Sequence, residues 1–147
     1  MNPSLWRQAQ LGRTNGLNEV TTGIYQVRGL DISNITLVEG ERGVIVIDPL
    51  ISEDCAAAAI ALYRAHRGNR PVTAVIYTHS HADHFGGVLG VLPDGADDVP
   101  ILAPAGVLEN AVAENVYAGT ARPGRKRCST ASGSSSSSRR APRRRPR

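Results

Sequence analysis

Aromatic side chains are scarce in this chain: one Trp, one Phe and four Tyr among 147 residues, or 4%. Aliphatic residues therefore have to fill any core, and a hydrophobic content of 41% is ordinary enough to do so. Cysteine is limited to Cys55 and Cys128, which allow one bridge at most and exclude a disulfide scaffold. No apolar run approaches the roughly 20 residues of a membrane-spanning helix. The opening MNPSLWRQAQLGRTNG lacks the apolar stretch of a signal peptide, so none is expected there. The length suits a single domain at roughly 100–200 residues per domain.

Lysine is absent from residues 1–120, which carry seven Arg against 13 acids, a net −6. Residues 121–147 carry ten Lys and Arg and no acid, a net +10. The overall +4 is the average of these two parts, so it does not describe a basic binding protein. Residues 121–147 hold no aliphatic side chain larger than Ala and no aromatic, so disorder is expected there. Arg, Ser, Pro, Ala and Gly are also what GC-rich codons give when read out of frame. A frameshift near codon 120 is the expectation, and translating the coding DNA in the other two frames checks it. The competing expectation is a tail that binds RNA or DNA through phosphate contacts. It lacks aromatics for base stacking, and no nucleic-acid partner is expected.

Residues 1–120 read as one folded unit. Gly23 to Arg28 alternates like a strand, and Ile32 to Val38 does so more loosely. Glu39-Gly40-Glu41-Arg42-Gly43 is a hairpin turn. Val44-Ile45-Val46-Ile47 is a β-branched run that reads as a buried strand ending at Asp48-Pro49. Ser52 caps a helix with Glu53 and Asp54 in its first turn, and Gly68 ends it after Arg64, His66 and Arg67. Val72 to Thr78 is a second buried strand. A short helix over Val88 to Val91, a strand over Val99 to Ala103 and a helix from Ala105 or Gly106 to about Tyr117 complete the order. Helix and strand alternate after a hairpin, which predicts an α/β fold with a mixed sheet and flanking helices. Trp6 is expected to anchor the N-terminal segment by packing, and Cys55 to be a small buried apolar residue. His66 is expected to act through its charge at the helix end.

The chemistry lies in Thr78-His79-Ser80-His81-Ala82-Asp83-His84-Phe85-Gly86-Gly87, directly after the second buried strand. It gathers three of the four His in the chain, with one Asp. Neutral imidazole and carboxylate are common zinc ligands. His79 and His81, two residues apart in an extended segment, point the same way. Asp83 and His84 are adjacent where the chain curls. One loop can thus offer one donor pair to one ion and another pair to a second ion. Gly86 and Gly87 permit close backbone approach.

This HxHxDH loop resembles the metallo-β-lactamase superfamily. Segments beyond it are similar to the alkyl sulfatases of that superfamily, among them Asn2 to Gln10, Gly23 to Gly29, Asp31 to Asn34, Val46 to Leu50, Leu62 to Val72 and Glu114 to Gly119. The similarity runs over about residues 2–120. It implies a partial metallo-β-lactamase (αββα) fold and zinc-dependent hydrolysis of linear alkyl sulfates of the dodecyl sulfate type to alcohol and sulfate. Two zinc ions are implied, the first on His79 and His81, the second on Asp83 and His84, with Asp83 also a catalytic residue. Asp48 matches a strand-end Asp that orients the metal loop, although it could simply form a turn or start the helix. Tyr117 either lies near the sulfate pocket or, the plainer expectation, packs on its helix. The resemblance also implies a homodimer for full-length members, which are often periplasmic or secreted.

Alkyl sulfatases need further acidic and His ligands downstream. After residue 120 this sequence has no His, Asp or Glu; residue 120 is Thr where the family usually has Asn, and the resemblance stops at Ala121. Glu109 and Glu114 do not match the missing ligands. Weak zinc binding and little or no turnover are therefore expected, with a non-catalytic zinc-binding fragment or another metallo-β-lactamase-fold hydrolase as the alternatives.

Overall fold

The computed structural model describes residues 2–92, 96 and 98–117. Six strands form one sheet in sequence order: β1 (Gly16–Thr21), β2 (Ile24–Arg28), β3 (Ile35–Glu39), β4 (Val44–Ile47), β5 (Val72–Ile76) and β6 (Ile101–Leu102). β1 to β4 run antiparallel in succession, and β5 and β6 are each parallel to the strand before. The sheet is therefore mixed. A parallel pair needs a crossover, and α2 (Glu53–Arg67) makes it between β4 and β5.

The ends of α2 follow from sequence chemistry. The Ser52 side chain accepts from the Cys55 amide, Glu53 and Asp54 sit at the positive end of the helix dipole, and Gly68 closes it at φ 87°. Its inward residues Ala56, Ala59, Ile60 and Tyr63 pack on one face of the sheet. That face is made by the alternate residues Tyr25 and Val27, Ile35 and Leu37, Val44 and Val46, and by Val72 and Val75, which a register shift in β5 brings to the same side. Ala at the helix positions lets the sheet approach closely, which suits a core with few aromatics. Cys55 is buried, as expected.

Glu39 closes the edge of this core. Its carboxylate takes paired hydrogen bonds from Arg67 at 3.1 and 3.2 Å and one from the Tyr63 hydroxyl at 2.9 Å. The Arg67 contact is the main reason that the Glu39 carboxyl is held below the ordinary carboxylate range, burial pulling the other way. Burial, helped by Glu39, pushes the Tyr63 phenol up to about 12.

Some expectations need correction. Strand β3 begins at Ile35, and Ile32 is 79% exposed, because Asp31 turns the chain there by binding the Ile32 amide. The helix expected to Tyr117 is α-helical only over Val107–Val112 (α3) and continues as a wider π turn over Ala113–Tyr117. The segment at Val88–Gly90 is a single 3-10 turn. α1 (Pro3–Gly12) and β1 were not foreseen, and α1 buries none of its residues, so Trp6 is exposed and anchors nothing among the described residues. The expectations for 121–147 lie outside the described residues.

Candidate metal centre

The site begins with backbone geometry at the end of β4. Asp48 and Leu50 adopt left-handed φ values of 55° and 64°. Such conformations cost non-glycine residues about 1–3 kcal/mol and persist where surroundings fix them. Here the Asp48 amide donates to Ile76 at 3.0 Å, and the Leu50 amide donates back to the Asp48 carbonyl at 2.8 Å. Asp31 holds the next turn by accepting from the Ile51 amide at 2.7 Å. Against this turn lies the end of the metal loop. A side chain at Gly87 would collide with the carbonyl oxygens of Pro49 and Ser52, and the Gly87 amide donates to Leu50 at 2.9 Å. The buried Ser33 hydroxyl donates to the Asp83 carbonyl at 2.5 Å and fixes the loop from the other side.

The turn aims the Asp48 carboxylate into the loop, where it is 8% exposed. One oxygen accepts from the Thr78 amide at 2.8 Å; the other accepts from the Thr78 hydroxyl at 2.7 Å and contacts His84 Nδ1 at 2.8 Å. Donor counting then settles the imidazoles. Thr78 has one hydroxyl proton, and Asp48 receives it. His79 Nδ1, 2.9 Å from that hydroxyl oxygen, must therefore donate, which leaves a lone pair on His79 Nε2. His84 Nδ1 donates to Asp48, which leaves a lone pair on His84 Nε2.

Each of those nitrogens lies close to a further potential ligand atom. His79 Nε2 lies 3.0 Å from His81 Nδ1, and His84 Nε2 lies 3.3 Å from Asp83 Oδ2. The rings cluster, with centroids 4.5 Å apart for His79 and His81 and 4.0 Å for His79 and His84. Two ligands on a tetrahedral zinc, with bonds of 2.0–2.1 Å, stand about 3.3 Å apart. The two pairs, at 3.0 and 3.3 Å, are close to this spacing. A His and Asp donor group able to hold a metal is thus present in the loop and the turn beside it. Asp48, His79 and His84 also turn one ligand atom each to within 4.8 Å of one another. Asp48 is the less suitable donor of that trio, since both its oxygens already accept from Thr78 or His84.

Of the other expected residues, Tyr117 is 81% exposed, so it does not pack on its helix. His66 Nδ1 lies 2.9 Å from the Leu62 carbonyl at the end of α2, away from the loop. Glu114 was set aside on sequence grounds, yet its Oε1 lies 3.4 Å from His81 Nε2. No local pattern announces a contact across 33 residues; a Glu on the helix after the metal loop was the available signal. Beside the loop, Tyr77, Phe85, Val107, Leu108 and Ala111 line an apolar cavity of about 120 Å³. Burial raises the Tyr77 phenol above its ordinary value.

The Metallo-beta-lactamase superfamily profile matches residues 28–111, which contain the whole loop and the turn that holds it. The chain belongs to the metallo-β-lactamase superfamily. Within the superfamily its similarity is to alkyl sulfatases. It is 61% identical over 123 residues to a linear primary-alkylsulfatase of Pseudomonas sp., covering 82% of this chain and 18% of that protein. It is 51% identical over 124 residues to an alkyl/aryl-sulfatase of Saccharomyces cerevisiae, covering 82% of this chain and 19% of that one. The solved structure of a stereoselective inverting sec-alkylsulfatase from Pseudomonas sp. superposes with a TM-score of 0.76 at 50% identity, over 82% of this chain and 20% of its own. The chain thus spans about a fifth of the length of these superfamily relatives and has the partial fold expected of it. Among the described residues, no helix is long and apolar enough to cross a membrane.

Proposed function

We propose that this chain forms the metal-loop portion of a dinuclear zinc centre that hydrolyses linear alkyl sulfate esters to an alcohol and inorganic sulfate. The observation that carries this reading is the close approach of potential ligand atoms, His79 to His81 and Asp83 to His84, in a chain 61% identical to a linear primary-alkylsulfatase. His79 Nε2 and His81 Nδ1 would hold one zinc; Asp83 and His84 Nε2 would hold the other. Zinc bound there would supply the polarisation of the sulfate ester and a water nucleophile near neutral pH. Asp48 orients His84 directly and His79 through Thr78. Asp83 is the carboxylate at the reacting centre. The apolar cavity beside Phe85 has room for part of an alkyl chain, and the exposed Tyr117 is available to the sulfate end.

Two donors per ion fall short of the three protein ligands usual for catalytic zinc. Residues 121–147 add no His, Asp or Glu. This chain alone should therefore bind zinc weakly and turn over almost no dodecyl sulfate, acting as a zinc-binding fragment. The function is tested in a chimera in which residues 2–119 replace the matching segment of the Pseudomonas linear primary-alkylsulfatase. Sulfate release from dodecyl sulfate is expected, and the same chimera with His79→Ala or Asp83→Asn should lose it. An inactive but folded, zinc-loaded chimera would refute the reading.

A further inference from the structure

Each of the three loop imidazoles has two ring nitrogens, and in two of them the outward nitrogen is held by an oxygen close in sequence or space. Thr78 holds His79 at 2.9 Å and Asp48 holds His84 at 2.8 Å. We infer that Glu114 plays this part for His81, as a positioning residue that turns His81 Nδ1 toward His79 Nε2; the inference rests on the metal-loop reading above.

The His81 side chain is 53% exposed, so packing alone does not fix its ring. Its polar side-chain contacts among the described residues are His79 Nε2 on one side and Glu114 Oε1 on the other. A half-turn of the ring would put carbon where Nδ1 now faces His79. A carboxylate beside Nε2 disfavours that flip, because it attracts the Nε2 proton and would be left facing a C–H. It also selects the tautomer with the proton on Nε2, the one that frees the Nδ1 lone pair. The fold delivers Glu114 by an irregularity. α3 loosens into a π turn over Ala113–Tyr117, and such turns recur at functional sites. The Glu114 side chain, 20% exposed, reaches back over the loop from there.

The test uses the full 147-residue chain and zinc alone, comparing wild type, Glu114→Gln and Glu114→Ala by calorimetric titration. Cadmium loading of histidine-labelled protein reports by NMR which His81 nitrogen binds. We expect Nδ1 ligation in wild type, an affinity about 10–100-fold weaker in Glu114→Ala, and recovery of most of that loss in Glu114→Gln, whose amide oxygen still accepts. Thermal melts of the metal-free variants should match wild type, because Glu114 lies outside the core. Equal affinity of wild type and Glu114→Ala, a Gln variant as weak as the Ala one, or ligation through Nε2 would overturn the inference while leaving the metal loop standing. Absence of zinc binding by wild type would instead refute the metal-loop reading, and this inference with it.

Discussion

The two faces of the sheet are covered very differently. On the face toward α2, Ile35, Leu37, Val44, Val46 and Val75 are fully enclosed. On the opposite face, register places Ile24, Val38, Ile45 and Ala74 in one cross-strand row and Ile47, Ile76 and Leu102 in another. Those rows are only partly covered, and Leu102 is 53% exposed. α3 and the π turn after it continue the pattern at the far edge, with Leu108 70% and Val116 63% exposed. The same alternation of apolar residues runs through both faces, so the sequence is written for a sheet with something against each side. The metal loop lies where the covered core meets the open edge. Its rigid half, Asp48 and Gly87, belongs to the first region, and its Glu114 contact belongs to the second.

The largest effect should separate the faces directly. Leu37→Ala on the covered side is expected to cost about 2–5 kcal/mol in urea unfolding. Ile45→Ala, one strand away on the other face, should cost less than half as much; equal costs would mean that the second face is as closed as the first. Next comes the junction. Asp48→Asn puts an amide N–H₂ against the Thr78 hydroxyl and His84 Nδ1–H, and should weaken zinc binding about 10–100-fold in a calorimetric titration. Unchanged affinity would show that the loop orients itself.

A pH titration probes the covered side alone. The fold favours the neutral Tyr63 phenol, raised to about 12 from 10.0. Its contribution is complete below pH 10 and lost as pH rises from 10 toward 12. Tyr63→Phe should flatten that alkaline limb of the melting temperature. At the acid end, Glu39 works with the opposite sign: its lowered value stabilises above the ordinary carboxylate range, and the contribution fades as pH falls through the lowered value. The smallest effect belongs to the open edge. Leu108→Lys should change stability by no more than about 0.5 kcal/mol. It should nonetheless reduce aggregation in light scattering, since apolar patches and bare strand edges invite association.

The covered region was the legible one. Val44–Ile47, the Ser52 cap, the Gly68 stop and the HxHxDH spacing each state their structure locally, through β-branching, capping chemistry and a two-residue ligand repeat. The open region was less so. The helix through Glu114 reads as regular α because nothing in Ala113 to Tyr117 breaks the pattern; its widening and the reach to His81 depend on tertiary placement. Trp6 looks like an anchor by its size, yet no described surface receives it. β1 went unseen because Gly16 to Thr21 carries polar residues at Asn18, Glu19 and Thr21, as an edge strand tolerates. The left-handed Asp48 and Leu50 are invisible to pattern reading, since propensity alone argues against Leu at such a φ.

The most direct test of the account is zinc stoichiometry by equilibrium dialysis of the full chain. Two facing donor pairs predict that binding approaches two zinc ions per chain at saturation. His79→Ala should remove one ion and leave the Asp83–His84 pair with the other. A wild-type chain that binds no zinc, or a His79→Ala chain that binds as much as wild type, would contradict it.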